Sequence, residues 1–295
     1  MIRASILCLA LAVVSANLAQ AATVEGIQRS IIAYRTKIQQ GTLLITTNID
    51  LNKHPLCDYS SEVITFDFTF RGQDMRLDRK QVAVVGGTPG VFAQRKIITT
   101  DECIYDEPGK SYLAVEVVKT VDMGGQILDD AFDPRMCGLV CSPITVWDNF
   151  GLEHATRLLI DRPATIRSER VDGEDLLVVN WAVDRKGEKR EGTVWLCPRM
   201  GYGVLKAEAS SSGFKAIMKA DYHEVPGGLW YPREIAFEES RNGELTYREV
   251  SKIEADFSTP VDASQFTLAA LNLPVGQRVR AFGQDKYWDG KALTP

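Results

Sequence analysis

Histidine is scarce in this chain: three in 295 residues, His54, His154 and His223, none near another. No His-Glu-x-x-His motif or close pair exists, so the sequence holds no local zinc site. Structural or surface roles are the expectation for all three. No Gly-x-Ser-x-Gly elbow is present to hold a hydrolase nucleophile. There is also no Cys-x-x-Cys, which a redox pair or an attached haem would need. Cysteine catalysis requires a thiol beside a histidine, and no local signature supplies one. Basic clusters are missing too. Acidic residues number 39 against 34 basic, a formal charge of -5, and no stripe of Lys and Arg follows a phosphate backbone. Nucleic acid is therefore excluded as the expected partner, and no catalytic residue, metal or cofactor is assigned. Pro/Ser-rich linkers, low-complexity tracts and internal repeats are absent, which favours one domain.

What is present begins with a leader. Arg3 is a lone charge, Ile6 to Val14 form an apolar run, and Ala19-Gln20-Ala21 is a small-x-small cleavage site. Ser15 and Asn17 interrupt the run before the roughly 20 apolar residues a spanning helix requires. Cys8 follows Ser5-Ile6-Leu7, a poor match to a lipid-modified cysteine. Residues 1–21 are expected to be a signal peptide and 22–295 a single exported, periplasmic domain without a transmembrane segment. Cysteine usage suits an oxidising compartment. The mature chain keeps an odd set, Cys57, Cys103, Cys137, Cys141 and Cys197, so two bridges at most can form. The expected pairs are Cys57–Cys103 and Cys137–Cys141, although spacing alone does not determine connectivity. Asp129, Asp130 and Asp133 read as a solvated acidic loop, since no ordered calcium loop surrounds them.

The rest reads mostly as strands. Thr23 to Gln40 predicts a helix with Val24, Ile27, Ile31, Tyr34 and Ile38 on one stripe, capped by Gly41. Strands follow at Thr42–Asp50, Val63–Arg71, Met75–Asp78, Val91–Thr99, Glu102–Asp106 and Ser111–Val118. The pattern then breaks. Ser142-Pro143 starts a second expected helix, to about Leu159, carrying Trp147. From Ala164 to Phe257 an antiparallel meander is predicted, with short Gly-containing turns between strands. Val261–Phe266 reads as a short turn or helix, and no order is assigned to the tail bearing Tyr287 and Trp288.

A sheet of ten or more strands curls, splits or closes, and alternating strands require one face to be covered. Two helices are too few to cover it. The expected class is mainly β (α+β): a large curved antiparallel sheet, an incomplete barrel, with both helices on its concave face. A two-sheet sandwich is the competing solution. If the sheet curves, an apolar cavity is expected, lined by Ile64, Phe66, Phe68, Phe70, Val179, Trp181, Phe214, Met218, Ile235 and Phe237. The second helix, with Trp147, is the candidate lid.

The amphipathic first helix, Gly41, the strand Thr42-Leu43-Leu44-Ile45, and Val194-Trp195-Leu196 with Val204-Leu205-Lys206 form one pattern. It continues through Tyr222-His223-Glu224-Val225-Pro226-Gly227-Gly228 and Leu229-Trp230-Tyr231-Pro232 to Gln265-Phe266-Thr267-Leu268. This layout resembles the LolA/LolB-like superfamily of bacterial lipoprotein-localisation carriers, and especially its secreted, uncharacterised members. The resemblance implies a half-barrel around a cavity for acyl chains, with a lipid or acylated lipoprotein as partner. No functional residue of those carriers aligns to a position here. Three functions are carried forward. The first is a periplasmic lipid- or lipoprotein-binding carrier. The second is a structural or stress-sensing envelope protein acting through protein partners. The third is an enzyme using scattered carboxylates or His223.

Overall fold

A computed structural model describes residues 23–51, 59–85, 88–108, 115–119, 133–139, 164–185 and 187–295. The chain opens with helix α1, Val24–Arg35. Thr23 caps it, its hydroxyl accepting from the Gly26 N–H at 3.0 Å. Val24, Ile27 and Ile31 are buried on the expected stripe. The helix stops at Arg35 instead of Gln40, because Gln40 already pairs with Arg71 as the first residue of a strand. Gly41 is thus not a helix cap. It lies within that strand, where a Cβ would stand 2.4 Å from the Asp256 carbonyl oxygen.

Strands β1 to β6 are Gln40–Leu51, Tyr59–Arg71, Asp74–Val85, Thr88–Ile98, Glu102–Asp106 and Val115–Lys119. Strands β7 to β10 are Ala164–Val171, Glu174–Arg185, Glu188–Cys197 and Gly203–Ser211. Strands β11 to β13 are Phe214–Val225, Leu229–Arg241 and Glu244–Asp256, and β14 to β16 are Arg278–Ala281, Gln284–Trp288 and Leu293–Thr294. All sixteen form one sheet in the order β16-β15-β14-β6-β5-β4-β3-β2-β1-β13-β12-β11-β10-β9-β8-β7. Its two meanders meet at β1 and β13, with Ile45 opposite Ile253. Among the described strands the sheet is open, with β7 and β16 at its edges, and not closed into a barrel. The second expected helix, with Trp147, lies outside the described residues, so α1 is the one α-helix among them.

The main core lies on the face that carries α1, called the inner face here. Ile64, Phe66, Phe68 and Phe70 are buried there, as the period of two requires. They pack in one cluster with Val24, Ile27, Ile31, Met136 and Leu139. Hydrogen bonds hold the segment 133–139 onto this core. The Tyr231 hydroxyl donates to the Pro134 carbonyl at 2.6 Å and the Tyr222 hydroxyl to the Gly138 carbonyl at 3.3 Å. Asp133 accepts from the Arg135 N–H and pairs with its guanidinium at 2.8 Å, while Asp129 and Asp130 lie outside the described residues.

A second cluster occupies the opposite face of β4–β6. Ile97, Ile104, Val115 and Val117 are covered by Phe266, Leu271, Leu273, Val279, Ala281 and Trp288. The tail is therefore ordered, and β14 joins the sheet parallel to β6. Its three strands are short, four, five and two residues, which leaves too little alternation to read from sequence.

Neither expected disulfide is formed. Cys103 and Cys137 are free buried thiols, as is Cys197, while Cys57 and Cys141 lie outside the described residues. Burial pushes the Cys137 thiol up to about 12, against smaller lowering by the Tyr231 hydrogen bond and Arg35. Burial raises Cys103 and Cys197 as well. The thiolate is the reactive form. Iodoacetamide at mildly alkaline pH is therefore expected to spare these three thiols in the folded protein and label them after unfolding. Mass mapping of the alkylated peptides checks this, and native labelling of Cys137 would contradict it.

Candidate functional site

Strand register assigns the inner face row by row. One row runs Val179, Val194, Ala207, Met218, Phe237 across β8 to β12. Val179, Val194 and Met218 are fully buried in the α1 cluster. The next row, about 6.6 Å further along the strands, runs Trp181, Gly192, Ala209, Ala216, Glu239. Between the indole and the carboxylate this row has no large side chain. A hollow of about 600 Å³ lies between this row and the next, lined by Trp181, Phe214, Ala209, Ser211, Arg190 and Arg241 among others. Its size falls within the range of small-molecule sites, about 300–1,000 Å³.

Gly192 is a necessary part of this arrangement. A Cβ there would come within 2.3 Å of the Trp181 ring, so the ring lies flat on bare backbone. The buried indole N–H of Trp181 has no hydrogen-bond partner among the described residues. At the rim, Arg190 pairs with Glu188 at 2.7 Å and Arg241 with Glu239 at 2.9 Å. The hydrogen bond from Arg190 holds the Glu188 carboxyl below its ordinary range. A second hollow, about 690 Å³, shares Trp181, Ala209 and Ser210 and adds polar groups from Thr165, Asn180 and Lys215. Trp181 thus stands where an aromatic, small-residue surface meets a polar one.

The ten expected lining residues divide. Trp181 and Phe214 line the hollow. Ile64, Phe66, Phe68, Phe70, Val179, Met218 and Ile235 are buried in the packed cluster around α1. Phe237 is half-buried and meets Tyr247 edge-on, with ring centres 5.8 Å apart. Gly192, Ala209, Ser211, Arg190 and Arg241 did not enter the sequence expectation. Small residues at inward positions of otherwise bulky strands were the available signal.

His223 stands opposite Tyr231 in the β11–β12 ladder, while His54 and His154 lie outside the described residues. No group of three His, Cys, Asp or Glu side chains suited to a metal ion occurs among the described residues.

Polar groups also enter the inner face. Glu62 is 6% exposed, and one of its oxygens finds no donor among the described residues. Burial raises its pKa, against lowering by Arg79 and by a hydrogen bond from Gln81. Because the folded state binds this proton more tightly than the unfolded chain, stability falls as pH rises through the raised value. Glu62→Gln is expected to raise the melting temperature at neutral pH and to leave it unchanged below the ordinary carboxylate range. Thermal melts at the two pH values check this. An equal effect at both would remove the titration as the cause.

The chain matches no protein-family model and no curated protein. Among solved structures it is similar to a LolA superfamily protein from Nitrosomonas europaea, at 13% identity and TM-score 0.42, over 83% of this chain and 97% of that one. A DUF1329 family protein from Desulfovibrio piger is similar at 13% identity and TM-score 0.42, over 84% and 98%. LprF from Mycobacterium bovis is similar at 12% identity and TM-score 0.27, over 80% and 94%.

Proposed function

We propose that this protein is a non-catalytic carrier, acting in the periplasm after export, that shields the acyl chain of a lipid or lipoprotein in the hollow beside Trp181. The observation that carries this reading is the hollow of about 600 Å³ between Trp181, Ala209 and Phe214, in a row whose inward residues Ala209 and Ala216 are small. The row on the α1 side buries Val179, Val194 and Met218, whereas this one leaves room for a guest. An acyl chain needs no catalytic group. It gains about 0.8 kcal/mol for each methylene removed from water, and an acceptor on its head group would satisfy the indole N–H. The sequence resemblance to lipoprotein carriers supports the same guest.

Filling the hollow tests the proposal. Ala209→Phe is expected to weaken uptake of a dansyl fatty acid by at least about tenfold, since excluding two methylenes forfeits about 1.6 kcal/mol. The melt should stay cooperative. Unchanged uptake with the hollow filled would sink the reading.

The second reading, an envelope protein acting through surface contacts, has one observation in its favour. Seven of the ten expected lining residues are packed in the core. Native mass spectrometry of protein from its own envelope separates the two. Bound extractable lipid supports the carrier, and a stoichiometric protein partner without lipid supports the alternative.

A further inference from the structure

Among the described residues, three two-residue hairpins of this sheet have both loop residues at positive φ, the type I′ geometry. They are Asp172-Gly173 between β7 and β8, Asn242-Gly243 between β12 and β13, and Phe282-Gly283 between β14 and β15. The first two use the dipeptides that this turn favours. The third places Phe282 at φ 51, where a bulky side chain is strained. The chain covers only about half of the side chain, since Phe282 remains 53% exposed. A bulky residue held in a strained turn with half its side chain open to solvent points to an external contact.

The surroundings indicate what that contact is. The tip is rigid: the Phe282 N–H donates to the Val117 carbonyl at 2.9 Å, and Val279 and Ala281 are buried beneath it. The other face of the hairpin shows Arg278 opposite Tyr287 and Arg280 opposite Asp285. Tyr287 is exposed, as is Val275 at the base of the hairpin. From 275 to 295 there are four basic residues, Arg278, Arg280, Lys286 and Lys291, against Asp285 and Asp289, in a chain of net charge -5. Asp285 pairs with both arginines, and a lipid phosphate would compete for them.

We propose that the β14–β15 hairpin docks the protein onto an anionic lipid bilayer, with Phe282 entering the interface and the basic side chains on the head groups. Exposed aromatics beside Arg and Lys suit that boundary, where the ring meets the acyl region and the cations stay among phosphates. The docking is weak and reversible, because one ring and a small charge excess supply it.

Co-sedimentation of the full chain with phosphatidylglycerol–phosphatidylcholine vesicles tests this, with pure phosphatidylcholine vesicles alongside. Wild type is expected to partition onto the anionic vesicles and to leave them as salt rises. Phe282→Asn is expected to lower partitioning by about tenfold while its melting temperature holds or rises, since Asn suits the turn. Arg278→Gln with Arg280→Gln should lower it by about tenfold or more. Equal partitioning of Phe282→Asn and wild type would overturn the proposal. So would equal binding to both vesicle types, or no vesicle binding by wild type. Docking is independent of cargo, so Ala209→Phe should bind vesicles as wild type does.

Discussion

Replacing Phe68 with alanine is expected to destabilise the fold by about 3–5 kcal/mol, the range for a fully buried phenyl ring. Phe68 is 0% exposed. It stacks on Phe66 with ring centres 5.9 Å apart, and it lies opposite Leu43 on one side and Leu77 on the other. These strands cannot collapse onto the vacancy without breaking their ladders, so the cavity stays open. The cost is comparable with the whole stability of a small domain, about 5–15 kcal/mol. Urea unfolding should show a lower midpoint at an unchanged slope. A loss below about 1 kcal/mol would mean that Phe68 lines an open cavity, as the sequence alone predicts, and is not packed.

Ending the chain at Ser258 should abolish the soluble monomer. The tail buries Phe266, Leu271, Leu273, Val279 and Trp288 against Ile97, Ile104, Val115 and Val117. Five such side chains contribute roughly 8–15 kcal/mol together at about 1.5–3 each, enough to cancel a typical folding free energy. Truncation also removes the Leu271 carbonyl that accepts from Arg95 at 2.5 Å. An uncovered apolar face of this kind drives association. Soluble yield and gel filtration report the outcome. A truncated chain that stays monomeric and melts cooperatively would show the tail to be an accessory.

Much of the sheet could be read from the sequence. Val63–Arg71 alternates so regularly that the inward face follows; Ile64, Phe66, Phe68 and Phe70 share it, but are packed in the core where a cavity lining is expected. Glycine turns mark the hairpins from Ala164 onward, and the expected meander is there as β7 to β13. The helix end was misplaced by five residues, because residues 36–40 keep an apolar spacing while pairing with Arg71 draws Gln40 into β1. The parallel contact of β14 with β6 joins segments about 160 residues apart, and no local pattern carries that information.

The site divides for the same reason. Trp181 and Phe214 were named from the sequence because large inward aromatics stand out. The other expected lining residues were equally apolar and equally inward, but α1 and the segment 133–139 cover their rows. An inward-facing phenylalanine has the same local signature in a packed core as in a cavity.

Alternation across strands, the positions of the turns and the missing catalytic motifs are all legible in the chain's local order. These depend on neighbours within a few positions, through the two-residue period and turn chemistry. Which rows are filled and which is left hollow is a property of the assembled sheet. That choice depends on register between distant strands, such as Gly192 against Ala209, and on where one short helix and one tail come to rest.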